Sequence, residues 1–228
     1  MSIKVVAFDA DDTLWVNENY FREAEGEFVK LMSIYGSEED TMKILFEIEM
    51  QNLGIYGFGI KGFMLAMTEA AGRISKGKVT STEIDKILDL GKAMLNKPVE
   101  LLDKVEEILK QVQKDYRVIL ATKGDLLDQQ RKLEKSGLEK YFHHIEVMSD
   151  KKVKDYQKLI KHLDIRPEEF LMVGNSLKSD ILPVIEIGGK AIYVPYEITW
   201  QHEQAAPQDQ HNGKYVEVGK LHEVLEHI

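Results

Sequence analysis

Cysteine is missing altogether from the 228 residues, which excludes disulfides, thiolate nucleophiles and cysteine-ligated zinc. Also missing is any apolar run near the ~20 residues that would span a bilayer. A cationic excess is lacking too: 30 Lys+Arg stand against 39 Asp+Glu, a formal net charge of −9. A chain of that sign offers no basic face to nucleic acid or an anionic membrane, so neither is expected as a partner. The opening residues are not expected to form a targeting segment, because the apolar start at 5–8 is cut short by Asp9, Asp11 and Asp12. A cytoplasmic location is expected. Internal repeats and low-complexity tracts are absent as well. What is there, 43% hydrophobic and 30% charged residues, reads as a folded globular protein. Its length suits one large domain or a domain with an insertion, able to bury roughly 70% of its unfolded surface.

Short apolar runs at 3–8, 117–121, 145–148, 170–173 and 190–194 have the continuous pattern of strands buried on both faces, and 215–218 is a weaker one. Between them run helical patterns. Leu101, Leu102, Val105, Ile108, Leu109 and Val112 recur at the spacing of one helix face, and shorter stretches lie at 126–133, 153–163 and 181–187. This alternation predicts an α/β domain with a parallel sheet. The region 16–96 breaks the rhythm with helical patterns at 21–32, 42–53, 60–71 and 84–95 and no convincing strand. A strand–helix–strand unit needs only about 30 residues, so roughly 80 of those between Asp9 and Thr122 are surplus. The expected organisation is an α/β core of 1–15 and 97–228 with an all-helical insertion at 16–96. Residues 54–62 are expected as a glycine-dense loop, and 202–213 as a polar surface loop.

In open parallel sheets, ligands bind at the carboxyl ends of the strands. The first strand ends in Asp9, Asp11 and Thr13, the second in Thr122-Lys123-Gly124-Asp125. Ser149-Asp150-Lys151-Lys152 follows the third, and Gly174-Asn175-Ser176 through Asp180 the fourth. Carboxylates gathered at one edge repel each other unless a divalent ion joins them, and all-oxygen ligands suit magnesium. A carboxylate can also attack phosphorus as a nucleophile. With Asp-x-Asp at a strand exit, the first carboxylate can face the phosphorus while the loop turns the second toward the leaving oxygen. Taken singly, these residues have plainer explanations: Asp near Thr caps turns, Lys151 lies in a charged run, and Asp180 could cap a following helix.

Taken together, they carry a resemblance. Val5-Val6-Ala7-Phe8-Asp9-Ala10-Asp11-Asp12-Thr13-Leu14, the strand ending in Thr122, Lys151, and Met172-Val173-Gly174-Asn175-Ser176 through Asp180 stand in the order of the four motifs of the haloacid dehalogenase superfamily. The chain resembles the phosphohydrolases of that superfamily over nearly its whole length. The resemblance implies a Rossmann-like core with the 16–96 insertion as a helical cap. By the same resemblance, Asp9 would form an aspartyl-phosphate and Asp11 would serve as general acid and base. Thr122 with the following N–H would bind the phosphoryl group, and Lys151, five residues before Tyr156, would neutralise charge. Magnesium would be held by Asp9, the Asp11 backbone, Asn175 and Asp180. Two departures stand out. Asn175 replaces the usual aspartate and is a weaker, neutral ligand, which shifts the task toward Asp180. Lys123 stands where an uncharged residue is usual, and it would add charge near the phosphate or point into solvent.

The implied activity is magnesium-dependent hydrolysis of a small phosphorylated metabolite, since a cap would shut out macromolecular substrates. Tyr56, Lys61 and the glycine-rich loop lie where such caps carry substrate selectivity. Trp15 and Phe58 read as cap packing, and His143-His144 as structural. The alternatives are a phosphomutase or hydrolytic dehalogenase of the same superfamily, and a phosphate-binding protein that has lost catalysis. A receiver domain, with a similar acidic, Thr and Lys set, is about half this length and lacks the insertion. The sequence leaves the oligomeric state open.

Overall fold

The computed structural model describes residues 2–204 and 213–228. Of the polar stretch expected as a surface loop, 205–212 lies outside the described residues. The chain divides into two compact units, one of 1–18, 99–123 and 129–228, the other of 19–98 with 124–128.

The first unit is built on a sheet of strands β1 (Val5–Phe8), β2 (Arg117–Lys123), β3 (His144–Met148), β4 (Phe170–Gly174), β5 (Lys190–Tyr193) and β6 (Val216–Glu217). All pair in parallel, in the order β3-β2-β1-β4-β5-β6. This is a Rossmann-like order, and its direction of progression reverses between β1 and β4, where such sheets open a crevice. The register sets Phe8 level with Leu120 on one side and Val173 on the other. The residues that follow, Asp9 and Gly174, therefore emerge side by side at the carboxyl edge.

The two-residue period of the strands sorts the core into two layers. Val6, Phe8, Val118, Leu120, Leu171 and Val173 pack with Ile108, Leu109 and Val112 of α5 (Val105–Val112). Val5, Ala7, Ile119, Ala121 and Met172 pack with Tyr156, Leu159 and Leu163 of α7 (Val153–Leu163). Each large side chain so buried contributes about 1.5–3 kcal/mol, which explains why these strands are apolar on both faces.

Helix α5 starts later than its periodicity suggests. Lys104, at φ 57°, marks its N-terminus. Leu101 instead pairs with Trp15 in an antiparallel bridge, and Leu102 N donates to Leu14 O at 2.9 Å. Extended pairing with the turn after β1 overrides the helical spacing there. Later in the chain, the helix expected at 181–187 is present as a short α8 (Leu182–Glu186), preceded by a π-helical turn, Leu177–Ile181.

The second unit holds α1 (Glu18–Met32), α2 (Glu38–Tyr56), α3 (Ile60–Ile74) and α4 (Ser81–Asn96). Phe28, Met32, Leu45, Ile48, Met67, Ala70 and Ile87 form its core. Thr80 opens α4 with a capping box closed by Glu83. The glycine-dense loop expected at 54–62 is shorter: α2 runs through Tyr56, and α3 begins at Ile60. Only 57–59 turn, with Gly57 at φ 74° and Gly59 at φ 111°, conformations that suit glycine.

Candidate active site

Asp9 leaves the end of β1, with its backbone N–H donating to Val173 O at 2.9 Å. It is only 6% exposed. The Lys151 ammonium, still more deeply buried, donates to Asp9 Oδ1 and to Asp180 Oδ1, the latter at 2.6 Å. Thr13 Oγ1 donates to Asp9 Oδ2 at 3.2 Å. The second oxygen of Asp180 accepts the Ser176 N–H at 3.0 Å, and Ser176 rather than Asp180 caps the turn that follows. Gly174 makes this approach possible: a Cβ there would lie 2.3 Å from Asp180 Oδ2.

Two carboxylates thus share one buried ammonium. Burial and the Asp180 charge push the Asp9 carboxyl up to about 7, more than Lys151 pulls it down. Burial also works against the Lys151 charge, but Asp180 and Asp9 outweigh it and hold the ammonium firmly protonated.

The turn after β1 is shaped by Asp12, at φ 61°. Its carboxylate accepts the N–H groups of Asn17 at 2.8 Å and Glu18 at 3.0 Å. Burial raises its carboxyl to about 8 against these hydrogen bonds. Asp11 stands beside it with both oxygens engaged. Oδ1 accepts from Trp15 Nε1 at 2.6 Å and Lys132 Nζ at 3.0 Å, and Oδ2 from Gln129 Nε2 at 2.8 Å. Trp15, expected as cap packing, is instead fully buried in the α/β core. Its backbone pairs with Leu101, and its indole N–H is held by Asp11.

Asn175 follows β4. Its amide oxygen faces Asp9 Oδ2 at 3.2 Å, the Asp11 carbonyl oxygen at 3.3 Å and Thr13 Oγ1 at 3.3 Å. With the Asp9 carboxylate ionised, only the Thr13 hydroxyl among these three carries a hydrogen. The conflict is relieved either by turning the amide over, so that its NH2 donates, or by a cation among the oxygens. Neighbouring oxygens around magnesium stand about 3.0 Å apart, given bonds of about 2.1 Å. With its oxygen kept inward, the Asn175 amide stands at nearly that spacing from the Asp9 carboxylate and the Asp11 carbonyl, a donor set whose chemistry suits such an ion. Among the described residues, no three His, Asp or Glu side chains form a metal cluster by themselves. Asp180 engages Lys151 through Oδ1 and the Ser176 N–H through Oδ2.

Thr122 is buried on β2. The next residue, Lys123, ion-pairs with Glu203 and donates to Ser179 Oγ at 2.8 Å. In the helical unit, Lys61 Nζ bonds both oxygens of Asp125, at 2.9 and 3.0 Å. Burial opposes the Asp125 charge, but Lys61 and the Asp128 N–H outweigh it and lower its pKa. Tyr56, at the end of α2, is 48% exposed. The histidine pair is not a joint ligand set: Val118 N donates to His143 Nδ1 at 3.2 Å, while His144 Nε2 pairs with Glu146 at 2.9 Å.

Sequence reasoning missed Lys132, Gln129, the Trp15 indole and Glu203. The first two are polar residues on α6 (Leu126–Ser136), and nothing in local pattern separates them from a solvated face. Glu203 comes from the connection after β5, beyond all four motifs. The four-residue offset between Asp11 and Trp15 is the one available signal.

The profile of the haloacid dehalogenase-like hydrolases matches residues 3–188. An N-acylneuraminate-9-phosphatase of Mus musculus is 26% identical over 200 residues, covering 83% of this chain and 81% of that protein. A glyceraldehyde 3-phosphate phosphatase of Methanothermobacter thermautotrophicus is 26% identical over 208 residues, with 86% and 88% covered. Among solved structures, a haloacid dehalogenase-like family hydrolase from Xanthomonas campestris superposes with a TM-score of 0.86 at 38% identity. It covers 97% of this chain and 88% of its own.

Proposed function

The chain belongs to the haloacid dehalogenase-like hydrolases, and from that premise we propose a magnesium-dependent phosphatase that hydrolyses small phosphate monoesters through an aspartyl-phosphate. The observation that carries this reading is the sharing of Lys151 between Asp9 and Asp180 beside the oxygen set of Asp9, Asp11 and Asn175.

Asp9 is the nucleophile. One of its carboxylate oxygens forms a bond to phosphorus as the bond to the ester oxygen breaks. Lys151 faces both the nucleophile and the arriving phosphoryl oxygens, where a fixed cation in a water-poor site acts most strongly. Thr122 supplies a hydroxyl for the same oxygens. Asp11, turned from its donors toward the leaving oxygen, gives the departing alkoxide its proton. It then takes a proton from the water that attacks phosphorus, which restores Asp9 and releases orthophosphate. When bound, magnesium would offset the charge of Asp9 and polarise the phosphoryl oxygens, held by the Asp9 carboxylate, the Asp11 carbonyl and the Asn175 amide. Asp180 orients Lys151. The helical unit is the cap in this reading, with Tyr56 and Lys61 as its selectivity residues. The curated relatives are named for phosphorylated carbohydrates, so the substrate class is small sugar-type phosphates.

The test is phosphate release from a panel of phosphorylated metabolites, with and without magnesium, using Asp9→Asn as the blank. Magnesium-dependent release lost in the variant is the expected result. Equal release by both proteins removes Asp9 from the chemistry, and ligand binding without release by the wild type would favour a degenerate binder.

A further inference from the structure

Glu203 has no part in the reaction just described, yet it is held at the same sheet edge. It sits on the short turn Gln201–Glu203, with its carboxylate 11% exposed. Its partners are donors from two other strand ends. Oε1 pairs with Lys123 Nζ, and Oε2 accepts from Ser176 Oγ and from Ser179 Oγ, the latter at 2.6 Å. The donors are themselves linked: Lys123 Nζ donates to Ser179 Oγ at 2.8 Å, and Ser179 N to Ser176 Oγ at 3.0 Å. One ammonium and two hydroxyls converging on a carboxylate make the donor set of an anion site. Burial would raise the Glu203 carboxyl, but Lys123 and the two serines outweigh it and hold it at about 2.

The serines gain nothing from this geometry as turn formers. Ser176 already caps its turn through the Ser179 N–H, and its hydroxyl hydrogen is spent on Glu203 in addition. Nor is the pair a surface bridge, since Lys123 and Glu203 are both largely removed from solvent, where one without the other leaves an uncompensated charge.

We propose that Lys123, Ser176 and Ser179 form an anion site that Glu203 fills from within the chain, and that Glu203 thereby acts as a positioning residue for Lys123. The carboxylate draws the ammonium toward Ser179 and cancels its charge, which leaves Lys151 as the cation that faces Asp9. This second half rests on the phosphatase reading; the anion site itself does not. It also gives the unusual Lys123 a purpose: a second free cation beside the phosphoryl position would hold product phosphate, and Glu203 prevents that.

The experiment compares wild type, Glu203→Ala and Glu203→Ala/Lys123→Met in sodium acetate and in sodium chloride of equal ionic strength. Glu203→Ala should melt lower than wild type, and acetate should raise its melting temperature by several degrees beyond chloride, because a ligand bound only to the folded state stabilises it. Wild type and the double variant should show no such excess. An acetate effect no larger than that of chloride in Glu203→Ala overturns the anion site. In turnover, Glu203→Ala should be inhibited by orthophosphate at a severalfold lower concentration than wild type, and acetate should reverse this. Unchanged inhibition overturns the positioning role even where acetate stabilises. If wild type releases no phosphate from any ester while the acetate effect persists, the phosphatase reading fails and the anion site stands. Should Glu203→Ala not fold, Glu203→Gln with Lys123→Met completes a double-mutant cycle. The double variant should then melt no lower than the worse single one, and strictly additive losses would overturn the pairing.

Discussion

The two ends of the parallel sheet both carry ions, and they treat them in opposite ways. At the amino end, Glu169 just before β4 accepts from Arg166 N at 3.0 Å and its guanidinium at 2.9 Å, and pairs with Lys4 at 2.8 Å. The two cations keep their heads in water while the carboxylate is covered. The Arg166 N–H, then the Arg166 and Lys4 side chains, lower the Glu169 carboxyl to about 2. At the carboxyl end the balance is reversed, with two buried carboxylates on one buried ammonium, and Asp9 is pushed up to about 7. One end satisfies its carboxylate; the other holds an excess of negative charge that a cation would offset. Conflict that the surrounding fold holds in place is what a reactive site looks like physically.

The largest effect should come from Lys151→Met. It leaves Asp9 and Asp180 facing each other without a counter-ion, and breaking such a buried pair costs about 3–5 kcal/mol. Loss of a positioned charge should also lower kcat by about 10²–10³-fold. Urea unfolding and phosphate release measure the two. Retention of both stability and rate in this variant would erase the distinction between the sheet's ends.

A matched pair of glycines sharpens the comparison. A Cβ on Gly174, at the carboxyl end, would come 2.3 Å from Asp180 Oδ2; one on Gly189, entering β5 at the amino end, would come 2.7 Å from Val184 Cγ1. Alanine at either place overfills its surroundings and should destabilise by about 1–3 kcal/mol. Only Gly174→Ala should disable the enzyme, because it displaces Asp180 from Lys151. Gly189→Ala should keep its kcat at temperatures where it is folded. Similar kcat losses in both would mean that activity follows stability rather than the geometry of one edge.

The same contrast governs what could be read beforehand. The strands were legible because burial on both faces demands unbroken apolar runs, and Asp9, Thr122 and Asp180 were legible because they follow those runs at one edge. The α5 start was misread because Leu101 and Leu102 fit a helix face by spacing, while backbone pairing with Leu14 and Trp15 claims them. The loop at 54–62 was overdrawn because glycine density does not reveal that Gly54 can remain in a helix. Glu203 was invisible. No local pattern marks a glutamate in a polar connection as the partner of a lysine 80 positions away. Contacts made by tertiary closure leave a trace in sequence only when one partner belongs to a recognisable motif.

The smallest effect belongs to the amino end and is one of slope. With a folded-state value of about 2 against an ordinary 4.5, Glu169 contributes stability that is fully present above pH 4.5 and is lost as pH falls toward 2. Glu169→Gln should therefore be less stable than wild type near neutrality, and the gap should close on acidification through that window. The difference in urea midpoint between the two proteins at pH 6, 4 and 3 measures it. Asp9 carries the opposite sign. Its raised value favours the protonated carboxyl in the folded state, so its contribution falls as pH rises from 3.8 toward 7 in the metal-free protein. Magnesium should flatten that second limb and leave the Glu169 limb untouched, because the proposed site lies at the carboxyl end and Glu169 is already paired with Arg166 and Lys4. A magnesium effect of equal size on both limbs would mean that the two ends are not electrostatically separate.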